Sequence, residues 1–300
     1  MTRATFDIYG PTIPQSPIIL SVPHAGRDYP DATARLRHPV ERLRALEDRY
    51  ADRLADRVVE GGVSAIVSRM PRLWIDLNRA ESELDPAMVI GRHGGGLPQS
   101  VKTRGGLGLI PRRLTETGDI WRTGLTEEDV ASRIERHYRP YHTILSTMLA
   151  RAHARFGVAM LVDLHSMPPL VGSNGAGSNG AGSNGAGPDG ADPDEASIVL
   201  GDRFGTTCAP QLTAMAEAVF NRAGYRVVTN TPYAGGYIVS HHAARLRNVH
   251  ALQVEVDRSL YLDDVFDGVG TGLPKLQAVI ALLSESLAER LVGTTAIAAE

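Results

Sequence analysis

Val158-Ala-Met-Leu-Val-Asp-Leu-His165 is the stretch from which the rest of the chain is read. Val158 to Leu164 is an apolar run of strand length that ends at His165, the pattern of a strand buried on both faces. The side-chain period of two puts Asp163 and His165 on one side of it. Similar runs lie at Pro17 to Val22 (PIILSV, ending at His24), Val63 to Val67, Ile198 to Leu200, Tyr225 to Thr229 and His250 to Val256. Helical spacing fills the gaps. Leu43, Leu46, Tyr50, Leu54 and Val58 predict an amphipathic helix ended by Gly61 and Gly62. Thr126 with Asp129 predicts a capped start to a helix running through Ile134, Tyr138, Tyr141, Leu145, Leu149 and Phe156, which Pro140 should kink or split. Further helices are expected near Ala209 to Ala223 and Lys275 to Leu291. This alternation predicts an α/β protein with a mainly parallel sheet covered on both faces.

Composition narrows the function classes. The 300 residues are 43% hydrophobic and 22% charged, as in an ordinary globular protein. No apolar run approaches the length of a membrane span. Thirty-one Lys and Arg against 34 Asp and Glu leave −3, so no global basic field exists to hold nucleic acid or an anionic membrane. The single cysteine, Cys208, cannot close an internal disulfide, and the first residues lack a signal-peptide core, so a cytoplasmic location is expected. Gly172 to Ala186 reads GSNGA three times, and 171–196 is expected to be a flexible Gly/Ser/Asn-rich insert within a single domain spanning 1–300.

Ligands in open α/β sheets collect beyond the carboxyl ends of the strands. His24, in SVPHAG, and His165, in DLHS, both stand there, which suits a metal site or a pair of structural histidines. Helical spacing would place Asp48 and Asp52 of EDRYAD on one face, either as a ligand source or as a solvated surface. Asn78 and Arg79 could present a guanidinium fork to a substrate carboxylate, or Arg79 could pair with Asp76. Glu255 faces away from Leu252, Val254 and Val256, so it needs a partner or a job unless its strand is a wet edge. NTPYAGGY at 230–237, with Tyr233, suits a loop around a small ligand. His241 and His242 could be ligands, but a doublet following Ser240 in a polar loop is usually surface. No GxSxG elbow is present, which disfavours a serine hydrolase.

Taken in order, SVPHAG at 21–26, EDRYADRL at 47–54, WIDLNR at 74–79, RGGLGLI at 104–110, LVDLHSMP at 161–168, NTPYAGGY and HALQVEVDRSLY at 250–261 resemble the N-formylglutamate amidohydrolase (deformylase) family. The resemblance runs from Pro17 to about Asp263. It implies kinship with zinc carboxypeptidases and aspartoacylases, and a three-layer α/β/α sandwich with a mainly parallel mixed sheet. It also implies a metal at His24 and His165, with a third ligand at Asp48 or the adjacent Glu47. The implied cofactor is zinc, one ion per chain, or another divalent transition metal. Glu255 is the implied catalytic base, and Asn78, Arg79, Arg104, Tyr233, His241 and Arg258 are implied to bind substrate. The implied reaction releases formate and L-glutamate from N-formyl-L-glutamate, within histidine degradation. Rival readings are a hydrolase of another N-acyl amino acid or small peptide, a two-metal phosphoesterase, and a non-catalytic zinc-stabilised binding protein. Ala25, Ala243 and Arg245 depart from the family pattern, the last two weakening a substrate role for His241.

Overall fold

The run around Val162 is a nine-residue strand in which every residue is buried. The computed structural model describes residues 4–30, 34–91, 100–170 and 196–297, so the expected insert lies, apart from Ala196, outside the described residues. In chain order the elements are β1 (Phe6–Tyr9), β2 (Ile18–Val22), α1 (Val40–Leu43), α2 (Ala51–Leu54), α3 (Asp56–Glu60), β3 (Ser64–Ser68) and α4 (Val101–Arg104). There follow β4 (Arg113–Leu114), β5 (Gly118–Asp119), α5 (Glu127–Arg133), α6 (Arg139–Phe156), β6 (Ala159–Met167) and β7 (Ile198–Gly201). The last are α7 (Pro210–Arg222), β8 (Val227–Thr229), α8 (Tyr237–His242), β9 (Val249–Asp257) and α9 (Leu273–Ile297).

Seven strands form one sheet in the order β1-β3-β2-β6-β9-β7-β8. The four central strands β3, β2, β6 and β9 run parallel. β1 closes one edge antiparallel to β3, and β7 pairs antiparallel with β9 and parallel with β8. The sheet is therefore mixed and mainly parallel, as expected. On one face Leu20, Val162 and Val254 pack with residues of α2, α3, α7 and α9. On the other, Ile19, Ile66, Leu161 and Ala251 pack with residues of α1, α5, α6 and α8. The result is a three-layer α/β/α arrangement.

Three local expectations need correction. The edge-strand reading of Glu255 fails, because β9 lies between β6 and β7. The helix expected from Leu43 to Val58 is broken: Glu47 is extended at ψ 142°, and Tyr50 is left-handed at φ 57°. A tertiary contact wins there, since Asp48 N–H donates to the His24 carbonyl at 3.0 Å instead of continuing the helix. Asp48 and Asp52 consequently share no helix face. Pro140, finally, does not split its helix. A π turn over Ile134–Tyr138, in which Arg139 N–H reaches the Ile134 carbonyl, joins α5 to α6. Pro140 has no N–H for the Arg136 carbonyl, which accepts instead from Thr5 Oγ1 at 3.4 Å.

Candidate metal centre

The face that carries Leu161 and Ala251 turns polar toward the strand ends. Asp163 and His165 continue it on β6, and Gln253 and Glu255 on β9, where His165 pairs in register with Glu255. Pro23 carries the chain from β2 to His24. Gly26 follows because a Cβ there would lie 2.0 Å from the Met70 carbonyl oxygen.

His24, Asp48 and His165 are all buried, and one ligand atom from each lies within 4.8 Å of the others. His165 Nδ1 is 2.8 Å from Asp48 Oδ2, and His24 Nδ1 is 3.4 Å from the same oxygen. The outward nitrogens are held elsewhere, His24 Nε2 by Asp76 Oδ1 at 2.8 Å and His165 Nε2 by Asp163 Oδ2 at 2.8 Å. A carboxylate can only accept, so each Nε2 carries a proton, and with an ion held between the two rings each Nδ1, turned toward Asp48, would be the ligand atom. With that tautomer, the 3.2 Å approach of Asn78 Nδ2 to His165 Nε2 is a contact between two donors, not a hydrogen bond.

A metal ion suits these residues. His24 Nδ1 is buried without a hydrogen-bond partner, aimed at an anionic oxygen, and two imidazoles with one carboxylate match the donor chemistry of zinc-class ions. Burial opposes the charge on Asp48, but His165 and His24 hold its carboxyl well below the usual range. Glu47 is committed elsewhere: it accepts from the Tyr29 hydroxyl and pairs with Arg49 at 2.9 Å. Asp48, not Glu47, is turned to the two histidines.

Around this core the other candidates separate. Glu255 is buried and accepts from Gln253 Nε2 at 2.8 Å. Burial pushes its pKa up and Asp48 adds to that, while His165, His24 and Arg72 pull it back. Asn78 Oδ1 accepts from Ile238 N–H at 2.8 Å, which draws the 230–237 loop and α8 over the site. A Cβ on Gly236 would lie 2.3 Å from the Asn78 amide, so only glycine permits that approach. Arg79 is buried, with Nε on the Leu107 carbonyl at 3.0 Å, and stands 3.9 Å from Asp76. Tyr233 is half-buried, and its pKa is raised by burial and by Glu255 and lowered by Arg258 and Arg72, which sets it among those groups. Arg258 has a buried Nε without a partner, and its Nη2 reaches the Glu47 carbonyl at 3.4 Å.

Two candidates are not brought to the core. Arg104 is exposed in α4, as is Lys102, and the residue of that helix that faces inward is Thr103. His241 is exposed, stacked on Tyr237 at 4.8 Å and bonded to its hydroxyl at 3.0 Å, whereas His242, expected at the surface beside it, is buried against His142. The sequence reading assigned no site role to Arg72 or Gln253, and it weighed Asp76 only as a partner for Arg79. Arg72 Nε in fact holds Asp76 Oδ2 at 2.9 Å. Its spacing of four from Asp76 and the alternation of Gln253 with Glu255 were the available signals.

The fold and the buried His-Asp-His set define an α/β protein with a side-chain cluster that could hold a metal ion. Residues 16–262 match the family model for N-formylglutamate amidohydrolase, and the chain belongs to that family. It is 31% identical over 254 residues to the N-formylglutamate deformylase of Pseudomonas aeruginosa, covering 83% of each chain. The deformylase of Pseudomonas putida is 30% identical over 253 residues, with 83% of this chain and 82% of that one covered. The crystal structure of the N-formylglutamate amidohydrolase from Ralstonia eutropha superposes with a TM-score of 0.83 at 32% identity, over 96% of this chain and 99% of that one.

Proposed function

We propose that this chain hydrolyses the amide bond of N-formyl-L-glutamate to formate and L-glutamate. The reading is carried by one observation, a buried carboxylate, Glu255, paired in register with His165 of a buried His24-Asp48-His165 set. His24, Asp48 and His165 would hold the ion, and zinc fits their donor set. Bound there, such an ion supplies Lewis acidity at the scissile carbonyl and acidifies water.

The remaining work belongs to the chain. Asp76 and Asp163 keep the imidazoles in one tautomer and orientation. Glu255 takes the proton of the attacking water as the oxygen adds to the formyl carbon, then passes it to the nitrogen as the C–N bond breaks. Its raised pKa suits both halves of that transfer. Arg72, anchored on Asp76, presents a fixed positive charge where the carbonyl oxygen becomes negative. Arg79 and Arg258 are placed to neutralise the two carboxylates of the substrate, and Asn78 with Tyr233 shapes the wall between them. A net charge of −3 gives no long-range steering, so recognition is local. This assignment places the chain in histidine degradation as a cytoplasmic enzyme of one catalytic domain.

The test is formate release from N-formyl-L-glutamate by protein carrying about one zinc ion per chain. Turnover that disappears with chelation and returns with zinc is expected. Metal-replete protein that releases no formate from it, yet turns over another N-acyl amino acid, would overturn the substrate assignment.

A further inference from the structure

Behind Asn78 and Arg79 lies a second buried group that the chemistry above does not use: Tyr138, His142 and His242. Tyr138 ends the π turn and His142 follows four residues later, so the two share one side of the helix. The Tyr138 hydroxyl donates to the Arg79 carbonyl at 2.7 Å. His142 Nε2 lies 3.0 Å from the Leu77 carbonyl. Leu77 and Arg79 are the two neighbours of Asn78, so the helix grips the backbone on either side of it.

The tautomers along this contact are fixed in sequence. The Leu77 carbonyl can only accept, so His142 carries its proton on Nε2 and accepts at Nδ1. That nitrogen lies 3.0 Å from His242 Nε2, which must then be the donor. His242 Nδ1 in turn accepts from Ser146 Oγ at 3.3 Å. Burial is the largest influence on both rings, pushing His142 down to about 4 and His242 down to about 3. Both imidazoles are neutral at physiological pH, and the chain of hydrogen bonds needs them so.

From the opposite side the same segment is held by Asn78 N–H on Asp76 Oδ1 at 2.8 Å and by Ile238 N–H on Asn78 Oδ1 at 2.8 Å. The π turn matters to this arrangement. One extra residue in a turn rotates everything downstream by about 100° relative to an uninterrupted α-helix. Tyr138, the last residue of that turn, and His142, one turn further on, both face the segment.

We propose that Tyr138 and His142 are positioning residues, which grip the Arg79 and Leu77 carbonyls and thereby fix Asn78 and Arg79 against the substrate. The proposal rests on the reading of Arg79 as a ligand for a substrate carboxylate. The Arg79 guanidinium is itself tied to backbone, with Nη1 on the Asn78 carbonyl at 2.8 Å, so slack in that backbone displaces the cation directly. Such a displacement weakens binding in ground and transition states alike, which raises KM and spares kcat.

Tyr138→Phe deletes one hydroxyl and keeps the ring. It should raise KM for N-formyl-L-glutamate by roughly five- to tenfold, the worth of one buried hydrogen bond, with kcat within about twofold and metal content unchanged. His142→Leu should act in the same direction, and His142→Gln, whose amide N–H can still serve the Leu77 carbonyl, should recover part of the loss. If Tyr138→Phe does not fold, the His142 pair decides. Arg79→Ala separates the two levels of argument. In that background Tyr138→Phe should raise KM no further, because the hydroxyl acts through Arg79. An unchanged KM in folded Tyr138→Phe, or a fully additive rise in the double variant, overturns the clamp while leaving the role of Arg79 intact. An unchanged KM in Arg79→Ala removes the role of Arg79 and the clamp with it.

Discussion

The two faces of strands β6 and β9 are built to opposite rules. One face is apolar over most of its length, with Met160, Val162 and Leu164 on β6 before Ser166, and Leu252, Val254 and Val256 on β9, packed under α7 and α9. The other begins apolar at Leu161 and Ala251 and turns polar at Asp163, His165, Gln253 and Glu255. Both faces are equally dry, so the difference is not one of solvent. On the first, burial of apolar area supplies stability directly. On the second, each buried polar group must find a partner, and the partners come from loops after β2 and β3 and from the 230–237 segment. Alternation along a single strand thus separates the residues that hold the sheet from those that do chemistry on it.

The largest test of that separation uses Glu255 and Leu252, three residues apart on β9 and on opposite faces. Glu255→Gln keeps shape and hydrogen bonding but cannot take a proton at neutral pH. It should lower kcat by roughly 10²–10⁴ while melting temperature and zinc content, measured on the same preparation, stay near wild type. A Gln variant that is active and metal-replete would send the search for the base to Asp163 or Asp257. Leu252→Ala should do the reverse. Leu252 is fully buried, so its truncation should cost about 2–5 kcal/mol in denaturant unfolding, with kcat per folded molecule unchanged. A large kcat effect at Leu252 would show that the two faces are coupled.

The same contrast explains what the sequence made legible. Strand periodicity is local, so His24 and His165 at strand ends, and Glu255 opposite the valines of its strand, could be picked out by spacing. The layer order followed from alternating strands and helices. What escaped is tertiary. His24 meets Asp76 across 52 positions, and no periodicity announces that pair. The break at Glu47 to Tyr50 escaped for the same reason, since the hydrogen bond from Asp48 N–H to the His24 carbonyl overrides a good helical pattern. Arg104 was misplaced because a helix of four residues shows too little pattern to say which side faces inward, and that side belongs to Thr103. β1 was missed because Phe6 to Tyr9 offers two half-buried and two exposed positions at an edge, too short a run to stand out.

The smallest effect sharpens the comparison at closest range, between two aspartates that helical spacing would have placed together. Asp48 is buried and faces two imidazole nitrogens. Asp52, beyond the break, makes a two-pronged pair with Arg27 at 2.9 and 2.8 Å, and both side chains remain partly open to solvent at 23% and 30% exposure. Asp48→Asn removes the only anionic ligand of the set, so the purified protein should lose tight zinc binding by elemental analysis. Asp52→Asn weakens a solvent-screened ion pair whose geometry is good but whose charges are still hydrated. Its cost should be about 1 kcal/mol or less in denaturant unfolding, shrinking further in high salt, with zinc content and kcat at wild-type levels. If Asp52→Asn lost the metal and Asp48→Asn kept it, the helical reading of the segment would be right and the break at Tyr50 wrong. Equal losses in both would mean that Arg27 and Asp52 hold the Asp48 turn in place, and that the site extends one layer further out than its ligands.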